Sequence, residues 1–116
     1  MARRASPEFD LQKAVVEHLM LRRARGCCWF AVPNGEKRPP RTGEKLKKMG
    51  VRPGVSDLII LVNRRPYALE LKAGRGAPSL AQDLWGDEWV SAGGSYHVGR
   101  DLDDVLSYLA RIGAIV

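Results

Sequence analysis

The chain is poor in the residues that staple or anchor a protein. Of its 116 residues only two are cysteine, Cys27 and Cys28, and they are adjacent. Adjacent cysteines suit neither a disulfide framework nor the spacing of zinc ligands. Histidine is as scarce: His18 and His97 stand alone, and both read as structural or solvent-facing. Long apolar runs are missing too. The longest, Cys27 to Val32, falls far short of the roughly 20 residues that span a bilayer. The arginines near the start have no apolar segment behind them, so no signal peptide is expected. No internal repeat or low-complexity tract is visible. These absences predict a soluble protein of a reducing, cytoplasmic compartment. At 45% hydrophobic and 28% charged, the composition is that of an ordinary globular chain. Its length suits one domain over residues 1–116, able to bury roughly two-thirds of its unfolded surface.

Negative charge is scarce in the first half. The net charge is +6. Residues 1–56 hold 13 Lys and Arg against 5 Asp and Glu, whereas residues 57–116 hold 6 against 8. Within residues 34–53 lie Lys37, Arg38, Arg41, Lys45, Lys47, Lys48 and Arg52. Such clustering is the electrostatic footprint of a phosphate-backbone binder, and these seven residues are the candidate nucleic-acid contacts. A solvated loop that keeps a small protein soluble is the plainer alternative. The basic residues sit among prolines and glycines with no clear amphipathic helix, which argues against a membrane surface.

Local signals divide the chain into elements. Ser6, Pro7 and Glu8 look like the cap and first turn of a helix that runs to about Arg25 and stops at Gly26. Cys27–Val32 reads as a strand. The long basic connection over 34–53 has room for a short helix near Thr42–Met49, and a connection this long is usually functional or mobile. Asp57–Val62 is nearly continuous in apolar residues and reads as a central strand. Asn63 to Pro66 make a turn, and Tyr67–Lys72 is the antiparallel partner. Ser79 caps a helix that reaches about Ala92, where Gly93-Gly94 stops it. Ser95–Val98 is a last strand, and Asp101 caps a last helix that ends near Gly113. Trp85 and Trp89, four residues apart, read as core packing. The order α-β-β-β-α-β-α predicts an α/β domain with a mixed central sheet flanked by helices.

The chemistry concentrates on the middle strands. Glu70 and Lys72 share one face of their strand, while Tyr67, Leu69 and Leu71 share the other. Asp57 opens an apolar strand, where aspartate is disfavoured and otherwise serves only as a turn or cap residue. Pairing Val62 with Tyr67 sets Asp57 opposite Lys72 and Ile59 opposite Glu70. Asp57, Glu70 and Lys72 then converge on one side, whereas a one-residue slip turns Asp57 to the other face. Two neighbouring carboxylates repel unless a cation lies between them, and Mg2+ suits hard oxygen ligands. Such an ion acidifies a bound water and neutralises charge on a phosphoryl oxygen, and a nearby ammonium can stabilise the same transition state. Glu8 falls on the helical stripe of Gln12, Val15 and Leu19 and so points toward the sheet, with Glu17 toward water. A favourable dipole charge in the first turn is the structural alternative for Glu8. Gln82, in the first turn of the next long helix, can reach the site or remain a solvated glutamine.

Together these residues resemble the PD-(D/E)XK nuclease superfamily, and within it the VRR-NUC (virus-type replication-repair nuclease) domain. The resemblance spans about residues 6–112. It rests on Glu8-Phe9-Asp10-Leu11-Gln12, Pro53-Gly54-Val55-Ser56-Asp57-Leu58, Glu70-Leu71-Lys72 and Ser79-Leu80-Ala81-Gln82. Ser56 departs from the pattern, since many such nucleases carry proline before this aspartate. The resemblance implies a restriction-endonuclease-like core and a Mg2+- or Mn2+-dependent deoxyribonuclease acting on branched or structured DNA in replication, repair or recombination. Asp57 and Glu70 would be metal ligands, joined by the Leu71 carbonyl and by Glu8 directly or through water. Lys72 would orient or activate the water, and Gln82 would support the site or contact a phosphate. It further implies a phage-like or bacterial protein, often a homodimer, and leaves room for a helicase or recombination partner. The rival expectation is a non-catalytic basic module that binds nucleic acid.

Overall fold

In the computed structural model the described residues are 6–33 and 39–116. The elements run α1 (Pro7–Arg22), β1 (Cys28–Ala31), α2 (Pro40–Lys48), β2 (Leu58–Val62), β3 (Arg65–Leu71), α3 (Leu80–Ser91), β4 (Ser95–Gly99) and α4 (Leu102–Arg111). The order is the expected one with α2 added inside the basic connection. The sheet order is β1-β2-β3-β4, antiparallel except for the parallel pair β3–β4. The parallel pair is joined through α3, as a crossover requires. Among the described residues no helix is long and apolar enough to cross a membrane.

One sheet face carries the core. Leu58, Ile60 and Val62 of β2 and Leu69 and Leu71 of β3 meet Leu11, Val15 and Leu19 of α1 and Val105, Tyr108 and Leu109 of α4. Ala114 and Ile115 are also buried there, beyond the expected edge at residue 112. The last residues return to the end of α1: the amide of Val116 donates to the Arg22 carbonyl at 2.9 Å, and Arg23 bridges Ile115. This tail explains why α1 stops at Arg22 rather than Arg25. Its other end also differs from expectation, because Ser6 makes no side-chain cap bond and Pro7 alone marks the start. Over the second face, α3 covers β3 and β4 through Trp85, which is buried and stacks with Trp89. It does not extend over β1 and β2, where Phe30 and Leu61 stay about half exposed. That open half gives access to whatever the second face holds.

The hairpin between β2 and β3 corrects the expected register. Val62 pairs with Arg65, not Tyr67, and Leu58 with Leu69. Only Asn63 and Arg64 lie in the turn, both with positive φ (54° and 64°), the twist that a two-residue hairpin needs. Pro66 sits in the strand opposite Leu61, before the first β3–β4 pair at Tyr67 and Ser95, where its missing N–H leaves no ladder bond open. The shift is two residues, so every side chain keeps its face. Extending the ladder one step sets Asp57 opposite Glu70 instead of Lys72.

Candidate active site

Glu8, Asp57, Glu70, Lys72 and Gln82 line one cleft of about 310 Å³, together with Gly54, Val55 and Ser79. Four segments build it. The C-terminal end of β3 supplies Glu70 and Lys72, and the segment before β2 supplies Asp57. The first turn of α3 supplies Gln82. Glu8 reaches in from the start of α1; its side chain is exposed, so it faces the cleft from the solvent side.

Asp57 sits where the β2–β3 ladder ends. Its Oδ2 accepts the Leu71 amide at 2.7 Å, a contact that fixes the carboxylate beside Glu70. The N–H and C=O of an extended residue point to the same side, so the Leu71 carbonyl also faces the Asp57 side. Ser56, where the resembled pattern has proline, is fully buried and its hydroxyl donates to the Leu58 carbonyl at 3.0 Å. The substitution is absorbed locally.

Glu70 is the anomaly of the molecule. It is a carboxylate with 2% of its surface exposed, and its Oε2 has no hydrogen-bond partner. Burial pushes its pKa up to about 9, with the neighbouring Asp57 carboxylate and then Glu8 raising it further, while Lys72 pulls the other way. Its Oε1 accepts from Gln82 Nε2 at 3.1 Å. Gln82 is itself held at both ends: its Oε1 takes the Ser79 amide at 2.8 Å, and its own amide bonds Ser79 Oγ at 3.2 Å. This capping box fixes which end of the amide turns to Glu70.

Gly54 lets α3 come this close. Its φ is +80°, and a Cβ there would lie 2.1 Å from the Ala81 carbonyl oxygen and 2.8 Å from the Gln82 nitrogen. The sequence carried no signal of this contact between Gly54 and α3.

An unsatisfied buried carboxylate oxygen, a second carboxylate beside it and raised proton affinity are the marks of a site suited to a cation. Among the described residues no group of three or more His, Cys, Asp and Glu side chains makes a ready cage. Mg2+ asks for less: one or two carboxylates, with substrate phosphate and water completing its shell. Asp57 and Glu70 fit that demand, and Glu8 lines the same cleft.

The basic candidates separate. Arg41, Lys45, Lys47 and Lys48 are exposed on α2, which buries none of its residues. Arg52 pairs its guanidinium with both carboxylate oxygens of Glu88 on α3. Its charge is thus partly spent within the protein. Lys37 and Arg38 lie outside the described residues. His97 stacks on Tyr108 and bonds Asp104 at 3.2 Å, away from the cleft. His18 is half-buried beside Arg22.

Neither a family model nor a curated protein matches the sequence. Solved structures do. One, described as "VRR_NUC domain protein", superposes with a TM-score of 0.72 at 20% identity, over 95% of this chain and 90% of its own. Another, described as "VRR_NUC domain", gives 0.64 at 17% identity, over 92% of this chain and 97% of its own. With its mixed four-stranded sheet, four helices and near-complete overlap with both, the chain has the fold of a VRR-NUC domain.

Proposed function

We propose that this protein is a divalent-cation-dependent nuclease that hydrolyses DNA phosphodiester bonds, acting within the strand on branched or structured DNA. The observation that carries this reading is Glu70: a buried, incompletely bonded carboxylate held against Asp57, with Lys72 in the same cleft. A fold does not need to bury such a group for stability. The exposed basic helix α2, in the connection that leads into Asp57, suits the approach of a polyanion.

Asp57 and Glu70 would hold Mg2+ or Mn2+, with Glu8 and the Leu71 carbonyl as further oxygen donors. When bound, the ion supplies charge neutralisation on the scissile phosphate and acidifies a water. Lys72, half-buried in the cleft, orients the attacking water and offsets charge that develops on the phosphoryl oxygens. Gln82 keeps Glu70 in place by donating to Oε1. Arg41, Lys45, Lys47 and Lys48 hold the DNA backbone without reading sequence.

The test is cleavage of linear duplex, single strand, flap and four-way junction with Mg2+, Mn2+ or EDTA. Lys72→Ala should slow cleavage about 10²-fold while leaving DNA binding intact, the scale for one transition-state donor. Binding of every DNA without cutting by the wild-type protein would favour a non-catalytic module instead. The double change Lys47→Ala and Lys48→Ala should weaken all DNAs alike and reduce the salt slope of log K by about 2. An unchanged slope, read from filter-binding titrations, would remove α2 from the interface.

A further inference from the structure

The second sheet face has two halves. Over β3 and β4 it is covered: the ring of Tyr96 lies against Gly86 and Trp85 of α3. Over β1 and β2 it is bare and apolar. Phe30 is 53% exposed and Leu61 48%, with Ile59 half-buried beside them. Among the described residues the Phe30 ring packs on no other ring.

This strip runs into the candidate active site. Residues opposite one another in a ladder share a face, and Phe30 pairs with Ile59, which pairs with Ala68. Phe30, Ile59 and Leu61 therefore lie on the face that holds Asp57 and Glu70. The β1–β2 pairing continues one step toward the cleft, where the Val32 amide donates to the Asp57 carbonyl at 2.9 Å. Strand spacings then set the Phe30 backbone about 8 Å from that of Asp57, little more than the rise of two stacked bases.

The borders of the strip are basic. Residues 24–33 and 58–66 contain no Asp or Glu. The exposed Arg25, Arg64 and Arg65 lie at the strand ends away from the cleft. A strip that is apolar in the middle, with arginines at one end and a cation site at the other, matches a chain with phosphates along its length and flat apolar faces between them. In duplex DNA those faces are stacked inside, and only base edges show in the grooves. Where the strand is unpaired the faces are free to stack on an aromatic ring.

Resting on the nuclease reading above, we propose that Phe30 is a specificity-determining residue: its ring stacks an unpaired base of the strand whose phosphate enters the cleft. The arginines at the far end attract the backbone beyond that base. The substrate class is then DNA with unpaired bases within a few nucleotides of the cut, such as a flap or the mouth of a junction, and not continuous duplex. Phe30 touches no reacting atom; it sets which strand is taken.

The experiment is binding to the full chain in EDTA, for wild type, Phe30→Leu and Phe30→Trp. The probes are a flap carrying 2-aminopurine at successive unpaired positions and a blunt duplex of the same length. Stacking on a ring quenches 2-aminopurine, so the wild type should quench it at one or two adjacent positions. Phe30→Leu keeps the apolar bulk and removes the flat ring. It should abolish that quench, weaken the flap about 10-fold and leave the duplex and the thermal midpoint unchanged. Phe30→Trp should retain both quench and affinity. Equal losses for flap and duplex, or a quench that survives in Phe30→Leu, would overturn the inference. A dimer in the wild type that Phe30→Leu converts to monomer, seen by sedimentation, would also overturn it and assign the strip to a second copy of the chain. Cleavage of the same DNAs in Mg2+ tests the nuclease reading separately. A wild type that shows the Phe30-dependent quench but cuts nothing would remove the enzyme and leave the stacking site; one that cuts without the quench would do the reverse.

Discussion

Glu70→Gln is expected to lower cleavage about 10³-fold and to make the metal-free protein more stable above neutral pH. The first effect follows from losing a charged ligand to a cation that supplies several kcal/mol of transition-state stabilisation. The second follows from the proton balance. A glutamate that titrates at about 9 when folded and near 4.5 when unfolded takes up a proton on folding across that interval. The unfolded chain then binds fewer protons than the native one, so stability falls as pH rises. The penalty begins above about 4.5 and is complete near 9, amounting to a few kcal/mol for a group this buried. Glutamine resembles the protonated acid and escapes the penalty, while its carbonyl still accepts from Gln82. Thermal melts in EDTA should therefore show a midpoint that declines with pH in the wild type and a flatter one in the variant. Adding Mg2+ should restore the wild type at high pH, because a ligand of the native state stabilises it. Equal slopes in the two proteins would show that Glu70 is not the titrating group.

Gly54→Ala should be among the most destabilising single changes in the chain, by about 3–5 kcal/mol, adding left-handed backbone strain to overpacking. The new Cβ would sit 2.1 Å from a helix carbonyl, an impossible contact with backbone that cannot rotate away. The internal control is Gly26→Ala. Gly26 has nearly the same φ, +81°, and nothing within 4 Å of the added carbon. It carries the strain alone, about 1–2 kcal/mol. The difference between the two melting points measures how tightly Pro53-Gly54 packs on α3. Where the Gly54 variant still folds, the first turn of α3 must move off, taking Gln82 from Glu70, and cleavage per folded molecule should fall as well. Equal losses in the two variants would show that α3 yields without cost.

Much of this site was legible before any coordinates. Asp57 was conspicuous because an acid has no reason to open an apolar strand, and Glu70 and Lys72 because a two-residue spacing sets them on one face. The Pro7 start of α1, the Ser79 cap of α3 and the central place of β2 were equally readable, since each follows from local chemistry. The hairpin register was not. Asn63-Arg64 lacks the glycine that usually marks a two-residue turn, and Pro66 looked like part of it. The face assignment survived only because the error was even. Tertiary effects were invisible for the same reason: the return of Ile115 to the core, the Arg52–Glu88 pair and the burial of Tyr96 depend on residues far apart in sequence. The burial of Glu70 belongs with them. Alternation sets Glu70 and Lys72 on one face but does not say what covers it, and at this end of β3 both faces are buried.

The capping box of α3 has a dynamic consequence. Ser79 and Gln82 close the first turn of the helix with the same amide that points at Glu70. Helix ends open and close far more readily than a domain unfolds. Each such opening releases the Gln82 side chain, so the arrangement of Glu70 lasts only as long as the turn stays wound. Amide exchange at Ser79 and Gln82, rather than the melting temperature of the domain, is then the clock against which the readiness of this site is set.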